Sequence, residues 1–399
     1  MNQIAESVFK YQKLWPQWPQ TVDARINHVF VFLEIFACEG GIQSYVKDIF
    51  RAYLALSDLP SAETFLLRDA PGCDNPFDNQ GNEPGDPALK FHYLKTRSAM
   101  LGRARLSAEL LRCLWWRRPS RVFCGHINLA PLVQVICQAL GIPYTVLTYG
   151  KEVWQALPLP HQKALQQASE IWTISRYSRD KACIANHLDP HKVKILPCAI
   201  DGAAFTPSNK NPALIEKYNL AGAKVLMTVA RLWSGDIYKG VDVTIRALPQ
   251  IAAAFGEIKY LVIGRGDDQP RLAQLAKDLG VADRVVFAGF VPTKDLVEHY
   301  RLADAYVMPS QEGFGIVYLE AMACGIPVLS GDADGSADPL QDGRLGWRVP
   351  HRDPEAVAAA CIEILTGNDG RCDGQWLRQQ TLAQFGRDAF VQRLKELLD

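Results

Sequence analysis

Short runs of consecutive apolar residues alternate along the chain with longer segments whose apolar residues recur at helical spacing. Runs that are apolar at every position are typical of strands covered on both faces by helices, as in parallel sheets. The first series predicts strands at residues 28–33, 62–67, 121–124, 144–148 and 171–174. The second series predicts strands at residues 224–230, 259–263, 285–288, 305–308 and 327–330. Strands and helices in this order predict an α/β protein with two Rossmann-like, doubly wound parallel sheets.

The boundary between the two predicted domains lies near residue 200. A strand-like segment there is followed by residues 206–212, which lose apolar content and hold two prolines, as linkers do. We therefore expect an amino-terminal domain over residues 1–200 and a carboxyl-terminal domain that starts at residue 201. A second irregular segment, residues 69–87, is rich in Pro, Gly, Asn and Asp and carries no Lys or Arg. It predicts a long loop, and both a surface insertion and an active-site lid remain open for it.

The composition narrows the class of protein. The 399 residues carry 43 basic and 43 acidic side chains, a balance that argues against a nucleic-acid partner. Residues 1–200 hold 22 basic and 17 acidic side chains and residues 201–399 hold 21 and 26, so an excess of positive charge lies in the first half. No stretch is long and apolar enough to predict a transmembrane helix, and the first 20 residues show no signal peptide. Ten cysteines without a C-x-x-C motif then predict reduced thiols and a cytoplasmic protein.

Residues 308–328 (MPSQEGFGIVYLEAMACGIPV) carry the most informative pattern. A strand ends near Pro309, a loop with Gly313 and Gly315 follows, and a helix begins near Gly315. Glycines allow a ligand to approach the backbone, and N–H groups at a helix amino end favour phosphate. Glu312 and Glu320 flank this anion site, where carboxylates are suited to accept hydrogen bonds from hydroxyl groups. Taken alone, Glu320 is equally consistent with a solvated helix residue.

This segment resembles the E-x7-E motif of retaining GT-B glycosyltransferases, most closely those of glycosyltransferase family four. The resemblance extends over nearly the whole chain. It implies that Glu312 contacts hydroxyl groups of the donor sugar and that Glu320 holds the ribose. It also implies that the loop between them offers backbone donors to the diphosphate, through Gly313, Phe314, Gly315 and Ile316. The last 21 residues, 379–399, resemble the helix that crosses back to the first domain, which leaves 201–378 as the donor domain.

Other segments of the second half resemble further parts of the family's donor site. Arg231 follows a strand and Lys239 opens the next helix, and the resemblance places this pair of cations on the donor phosphates. Fixed cations of this kind stabilise the charge of a departing diphosphate. Ala230 stands where the family has Gly. Gly264 belongs to a turn similar to the family's donor-site turn, and Val291 to the segment whose backbone reads the nucleotide base.

The first half supplies the opposite wall of the predicted cleft. Gly40 and Gly41 follow the first strand, and the family has a Gly-Gly loop there beside the donor diphosphate; an ordinary tight turn is the alternative. His126 resembles the family histidine that meets the donor sugar, and we assign it no nucleophilic role. The resemblance points to acceptor binding by the turn after another strand, through Tyr149, Lys151 and Glu152. Trp154 in the same turn suits a stacked sugar and a packed core position equally well.

Two features bear on metals and membranes. Asp332 and Asp334 match the D-x-D pattern of metal-dependent glycosyltransferases, but the resembled family uses a helix dipole and cations instead, so we expect no catalytic metal. Residues 90–121 hold nine basic side chains and one acidic one, and Leu106, Leu110 and Leu114 share one helical stripe. Basic charge beside Trp115 and Trp116 suits an anionic membrane surface. A crossover helix with solvated cations, or an acidic substrate, fits the same pattern.

The resemblance implies transfer of a sugar from a nucleotide sugar with retention at the anomeric carbon. It favours UDP-glucose or a related UDP-hexose as donor and a polysaccharide or lipid-linked saccharide as acceptor. We expect a cytoplasmic enzyme, with contact at the inner face of the plasma membrane left open. Two alternatives remain, namely another GT-B enzyme such as a sucrose-type synthase or nucleotide-sugar epimerase, and a non-catalytic nucleotide-sugar-binding protein.

Overall fold

The computed structural model describes residues 26–38, 40–56, 61–78 and 89–399. Two sheets, each with parallel pairing throughout its described strands, form the centres of the two halves. The first has the strand order β3-β2-β1-β4-β5-β6-β7. Its strands are β1 (Ile26–Phe32), β2 (Ser61–Leu66), β3 (Leu89–Tyr93), β4 (Arg121–Cys124), β5 (Tyr144–Leu147), β6 (Glu170–Thr173) and β7 (Val193–Ile195).

The second sheet repeats this topology in the order β10-β9-β8-β11-β12-β13. Its strands are β8 (Lys224–Val229), β9 (Ile258–Ile263), β10 (Val285–Gly289), β11 (Ala305–Met308), β12 (Val328–Gly331) and β13 (Trp347–Val349). In both sheets the strand order reverses beside the first strand, at β1/β4 and at β8/β11. Ligands of open α/β sheets bind outside the carboxyl ends of the strands at such switch points.

Helices cover both sheets. The first half has α1 (Gly41–Ala55), α2 (Ala99–Arg117), α3 (Ala130–Leu140), α4 (Leu159–Gln166) and α5 (Arg176–Asn186). The second half has α6 (Pro212–Lys217), α7 (Val241–Phe255), α8 (Gln269–Asp278), α9 (Thr293–Tyr300), α10 (Ile316–Ala323) and α11 (Pro354–Thr366). The chain ends with α12 (Gly374–Phe385) and α13 (Arg387–Leu398). Among the described helices, none combines the length and apolar character needed to span a bilayer.

The chain passes between the halves twice, and the two passages pair with each other. Ile200 donates its N–H to the Phe385 carbonyl at 2.8 Å. The Arg378 guanidinium donates to the carbonyls of Gly202, Phe205 and Ala323, so it ties the end of the first passage to the second half. After Gly386 the chain turns into α13, which packs against α1 of the first half, with the Phe390 ring edge-on to Tyr45.

All ten predicted strands are present, with ends shifted by one or two residues. The three strands that the apolar pattern missed, β3, β7 and β13, each lie at a sheet edge. These three edge strands are short and carry polar residues, here Lys90, His92, Lys194 and Arg348, so they lack the continuous apolar run that revealed the fourth edge strand, β10.

The predicted apolar stripe of α2 faces the core, because Leu106, Leu110 and Leu114 are fully buried. Part of the predicted long loop is also well packed. Asp69 is buried, and its carboxylate accepts the backbone N–H groups of Ile35, Phe36 and Ala37. Residues 79–87 of that segment, and the first 25 residues of the chain, lie outside the described residues. All ten cysteines are free thiols.

Candidate active site

A cavity of about 270 Å³ lies between the carboxyl edges of the two sheets. Eight of the residues that the sequence assigned to the site line it: Gly41, Tyr149, Lys239, Glu312, Gly313, Phe314, Gly315 and Ile316. Residues that the sequence did not single out complete the wall: Ile42, Tyr45, Ile174, Cys198, Val229 and Val317. Tyr45 and Cys198 could not be recognised beforehand, because an aromatic and a thiol on buried faces look like core residues.

The loop after β11 forms the floor of this interdomain cavity. Gly315 has a φ of +89°, a conformation that glycine adopts without strain, and it turns the chain into α10. No side chain caps the amino end of α10. Its first N–H groups are therefore available to an anion, at the positive end of the helix dipole. Phe314, just before this helix, is buried in the core with its ring edge-on to Phe385, and so anchors the loop.

Lys239 and Glu312 form an ion pair inside the cavity, with side chains 17% and 15% exposed. Burial alone lowers the pKa of Lys239, but the Glu312 carboxylate and neighbouring groups outweigh burial and raise it. Lys239 is consequently a fixed cation at neutral pH. Gly240 makes this placement possible, because a Cβ there would meet the Pro309 carbonyl oxygen at 2.4 Å. The pair provides a positive group for a phosphate and an acceptor for hydroxyl groups in one place.

The backbone of Glu312 is held by Asp334, a residue to which the sequence pattern assigned no such role. The Asp334 carboxylate accepts the Glu312 N–H at 2.6 Å and the Ser336 N–H at 2.9 Å. The Gly335 N–H also donates to the Glu312 carbonyl at 2.8 Å. Burial raises the pKa of Asp334 to about 6. The only local signal was the Asp-Gly-Ser order after β12, which is typical of a cap but does not identify its partner.

Arg231 and Lys239 both line a small pocket at the start of α7. Arg231 is not one of the described residues that line the interdomain cavity. Its guanidinium is paired with Asp236 at 3.1 Å, lies over the Trp233 ring and is 60% exposed. The two predicted phosphate cations therefore line one small pocket, and of the two only Lys239 also lines the interdomain cavity. Their role at a phosphate stays a prediction.

Gly264 follows β9 and Val291 follows β10, the two strands beyond β8 on one side of the switch point of the second sheet. A Cβ at Gly264 would meet the Ala230 carbonyl oxygen at 1.8 Å, so the turns after β8 and β9 approach more closely than a side chain allows. Val291 is buried, and the preceding Phe290 is exposed under the Arg265 guanidinium.

Glu320 is held by the Tyr300 hydroxyl, which donates to its carboxylate at 2.6 Å. Burial raises the pKa of Glu320, and this hydrogen bond offsets part of the shift. The residue is thus not a freely solvated helix glutamate, although its predicted contact with a ribose stays a prediction.

His126 lies at the carboxyl end of β4 in the first half, and it is not among the described residues lining the interdomain cavity. Its Nδ1 accepts the Asn128 N–H at 3.1 Å, so the neutral ring carries its proton on Nε2. Burial, followed by the charge of Arg68, lowers the pKa of His126 and favours that neutral form.

The turn after β5 places Tyr149, but neither Lys151 nor Glu152, against the cavity. The Glu152 carboxylate accepts the backbone N–H groups of Tyr149 and Gly150 and so shapes the turn. Lys151 lies over the Tyr238 ring. Trp154 donates to the Ser178 hydroxyl and packs edge-on against Tyr177, an arrangement typical of a structural aromatic.

Two residues at the start of α5 join the first half to the cavity loop. The Ser175 hydroxyl donates to the Gly313 carbonyl at 2.5 Å. Arg176 pairs with Asp338 and with Asp342, the latter at 2.8 Å, on the second half. Gly40 immediately precedes the cavity residue Gly41 and is the N-cap of α1.

Two doubly wound sheets face each other across a cavity, and the uncapped amino end of α10 at that cavity suits an anion. This arrangement defines the GT-B class of nucleotide-sugar glycosyltransferases. The sequence profile described as "Glycosyl transferases group 1" matches residues 223–367. A GDP-mannose-dependent alpha-(1-6)-phosphatidylinositol monomannoside mannosyltransferase of Mycolicibacterium smegmatis is 33% identical over 341 residues, which cover 82% of this chain and 86% of that protein. The chain belongs to the group 1 glycosyltransferases, and it transfers a sugar from a nucleotide sugar.

Two further relatives agree with this assignment. A D-inositol 3-phosphate glycosyltransferase of Acidothermus cellulolyticus is 29% identical over 371 residues, 84% of this chain and 80% of that protein. Among solved structures, Anabaena HepE in complex with UDP superposes with a TM-score of 0.72 at 18% identity, over 93% of this chain and 99% of that one. At that identity the structural likeness bears on the fold alone.

Proposed function

We propose that this protein is a retaining, metal-independent mannosyltransferase that uses GDP-mannose and a lipid-linked acceptor. The observation that carries the proposal is the buried Lys239–Glu312 pair in front of the uncapped amino end of α10. The family resemblance alone favoured UDP-glucose. The relative from Mycolicibacterium smegmatis is GDP-mannose-dependent, which favours a guanosine donor instead.

The chemistry proposed for the donor uses the charges of the cavity. The diphosphate would be bound by the first N–H groups of α10 and by Lys239, both of which stabilise its charge as the anomeric C–O bond breaks. Glu312 would accept hydrogen bonds from sugar hydroxyls and orient the ring without attacking it. The acceptor hydroxyl would form the new bond on the same face, and its proton would pass to the departing diphosphate. The products are the glycoside and GDP.

Metal independence rests on how the D-x-D residues are used. Both oxygens of Asp334 accept hydrogen bonds from Glu312 and Ser336, so this carboxylate is not free to bind a metal ion. We expect that EDTA leaves the transfer rate unchanged. Activity that disappears in EDTA and returns with Mn²⁺ would contradict this part of the proposal.

We also propose contact between α2 and the inner face of an anionic membrane. Leu101 and Leu111 are exposed on the outer face of this helix, and Trp116 near its end is 64% exposed. Arg105 and Arg112 lie beside them, the latter paired with Glu109. Basic and apolar residues on one exposed helix face suit a membrane surface. Sedimentation with anionic liposomes should pellet the protein in a salt-sensitive manner, whereas absence of pelleting would exclude this contact.

The central experiment combines the protein with GDP-mannose or UDP-glucose and with vesicles that contain phosphatidylinositol. Mass spectrometry identifies the product, and NMR gives its anomeric configuration. We expect mannose transfer with an α linkage, whereas an inverted product would contradict retention. Free UDP-sugar conversion or sucrose-type products would support the other GT-B enzymes, and binding without turnover would support a non-catalytic binder.

Two variants test the site itself. Glu312→Gln and Lys239→Ala should each lower kcat by about 100-fold or more, because each removes a charge aimed at the reacting groups. Lys210→Ala is the matched control, since Lys210 forms a comparable ion pair with Asp304 at 3.0 Å away from the cavity. Equal activity of the Lys239 and Lys210 variants would remove the proposed role of the pair.

A further inference from the structure

The Gly313 carbonyl, in the loop that we assign to the donor diphosphate, lies where the two halves of the chain touch. Ser175 and Ser178, at the start of α5 in the first half, direct their hydroxyl groups at its oxygen, at 2.5 and 3.4 Å. From the second half, Gly335 approaches the same oxygen so closely that a Cβ there would lie 1.9 Å from it. Of the two hydroxyl contacts, the shorter one from Ser175 is the stronger hydrogen bond.

The Ser175 hydroxyl makes two hydrogen bonds, and only one of them belongs to its own helix. The side chain is fully buried at the N-cap of α5, where its oxygen accepts the Ser178 N–H at 3.0 Å. A hydroxyl has one proton to donate, and here the Gly313 carbonyl accepts it. Helix capping explains a serine at this position. It does not explain the hydrogen bond to the other half of the chain.

The backbone of Gly313 is also close to the first half. A Cβ on Gly313 would lie 3.0 Å from the Tyr149 carbonyl oxygen and 3.5 Å from Cδ1 of Ile174, so a side chain has little room here. A Cβ on Gly150 would in turn lie 3.6 Å from the Gly313 Cα. Two turns of the first half, after β5 and after β6, therefore pack against the diphosphate loop of the second half.

The hydrogen bond to this carbonyl also orients the N–H group of the next residue. The peptide bond is trans, so the Gly313 C=O and the Phe314 N–H lie in one plane and point in opposite directions. Within the described part of the chain the Phe314 N–H has no acceptor, and both residues line the interdomain cavity. An accepted hydrogen bond polarises a peptide group, so donation by Ser175 makes the Phe314 N–H a stronger donor.

We propose that Ser175 is a positioning residue for sugar transfer. From the first half, its hydroxyl fixes the 313–314 peptide so that the Phe314 N–H faces the donor diphosphate only while the two halves are in contact. That N–H then stabilises the charge that grows on the diphosphate as the anomeric C–O bond breaks. The proposal rests on the proposed binding of the diphosphate by this loop, and it adds a residue that the sequence pattern did not single out.

Two substitutions separate this role from helix capping. Ser175→Gly removes the hydroxyl but keeps an acceptable N-cap residue, whereas Ser175→Ala loses both the hydroxyl and the cap. Both variants should lower kcat about 10-fold, the rate equivalent of about one hydrogen bond. Only Ser175→Ala should also lower the Tm, by about 2 °C. A kcat that falls in Ser175→Ala but not in Ser175→Gly would overturn the proposal, because it would follow the cap alone.

Two further variants serve as comparisons. Asp353→Gly is the matched control, because Asp353 caps α11 through two N–H groups at 3.0 Å and α11 contributes nothing to the described lining of the interdomain cavity. Its kcat should equal that of the wild type. Arg176→Ala weakens the contact between the halves but keeps the Ser175 hydroxyl, so it should raise the donor KM and leave kcat at saturating donor nearly unchanged. An equal loss of kcat in Ser175→Gly and Arg176→Ala would overturn the proposal.

A binding measurement tests the same contact without sugar transfer. Phosphorus NMR of GDP and of UDP bound to the full-length protein reports on the hydrogen bonds to the diphosphate. We expect the resonance of the bound β-phosphorus to differ between the wild type and Ser175→Gly and to be the same in the wild type and Asp353→Gly. Identical resonances in the wild type and Ser175→Gly would overturn the proposal.

The outcome for Ser175 is separable from the outcome for the proposed function. Transfer from UDP-glucose instead of GDP-mannose, with the same loss of kcat in Ser175→Gly, would contradict the proposed donor and support the role of Ser175. Mannose transfer from GDP-mannose at an unchanged kcat in Ser175→Gly would contradict the role of Ser175 and leave the proposed function in place.

Discussion

The carboxylate of Asp334 accepts the backbone N–H of Glu312 at 2.6 Å, across 22 residues of sequence. Asp334 is buried, and its carboxylate caps the amino end of the following helical turn by accepting the Ser336 N–H. A residue in the loop after β12 thereby fixes the position of a glutamate in the loop after β11. Asp334 acts on the site as a positioning residue, without access to the interdomain cavity itself.

Replacing Asp334 by Asn should lower kcat about 10-fold or more with a smaller change in donor KM. An amide would present N–H groups to donors that now face carboxylate oxygens, at a cost of about 1–3 kcal/mol in stability. Asp332→Asn is the control, because that side chain is 46% exposed and 3.9 Å from His351. Steady-state kinetics and urea unfolding measure kcat, KM and stability for both variants. Equal values for Asp334→Asn and Asp332→Asn would contradict the positioning role.

The same residue predicts a pH dependence. Burial raises the pKa of Asp334 to about 6, so lowering the pH through that value protonates it and replaces an acceptor by a donor. The kcat of the wild type should therefore fall as the pH falls through about 6. The fall should be absent from the profile of Asp334→Asn, and a profile shared by both proteins would assign the titration to another group.

Gly335 allows the two loops to touch. A Cβ at this position would meet the Gly313 carbonyl oxygen at 1.9 Å, in the loop that we assign to the diphosphate. Gly335→Ala should displace that loop, with a loss of about 1–3 kcal/mol in stability and most of the transfer activity. Gly235→Ala is the matched control, since nothing lies within 4 Å of its Cβ position. Thermal unfolding and kcat/KM would show equal values for the two variants if the contact were unimportant.

Arg176 links the two halves through Asp338 and Asp342. Because its side chain is 46% exposed, we expect a modest contribution of about 1 kcal/mol or less. Arg176→Ala should raise donor KM about two- to five-fold by favouring a wider cleft, visible as a larger radius of gyration in small-angle scattering. Arg179→Ala on the same helix breaks only a pair with the adjacent Asp180 and should leave both quantities unchanged.

Asp48 predicts how stability varies with pH. Burial raises its pKa from 3.8 to about 6, against the opposing effect of Arg51. The folded state then binds more protons than the unfolded state between about pH 4 and 6, so this group lowers stability as the pH rises through that window. Asparagine does not titrate, so the unfolding free energy of Asp48→Asn minus that of the wild type should rise by about 2 kcal/mol as the pH is raised from 4 to 7. A difference independent of pH in urea unfolding would contradict this assignment.

The central strands were predictable because each is buried on both faces, so its residues form an uninterrupted apolar run. The loop with Glu312, Gly313 and Gly315 was predictable for a related reason: strand end, glycines and helix start follow one another within a few residues. The edge strand β3 buries less and mixes polar with apolar residues, so the same pattern could not reveal it.

The candidate site was predictable only in part. The sequence grouped Arg231 with Lys239, and both line one small pocket, but it did not predict that Arg231 pairs with Asp236 and Lys239 with Glu312. The sequence did not predict that the Glu152 carboxylate accepts backbone N–H groups of its own turn, and its contact with an acceptor stays a prediction. Which charge faces which partner depends on side-chain directions across different elements, and these are not encoded at fixed sequence spacing.

Two doubly wound sheets, a phosphate-compatible loop after β11 and a basic first half were predictable from the sequence. Each of these follows from local spacing or from simple counts of charge. The folded chain was needed to show that Asp334 holds Glu312 and that Lys239 pairs with the Glu312 carboxylate. Those relationships join residues 22 and 73 positions apart, and chain folding alone brings them within hydrogen-bonding distance.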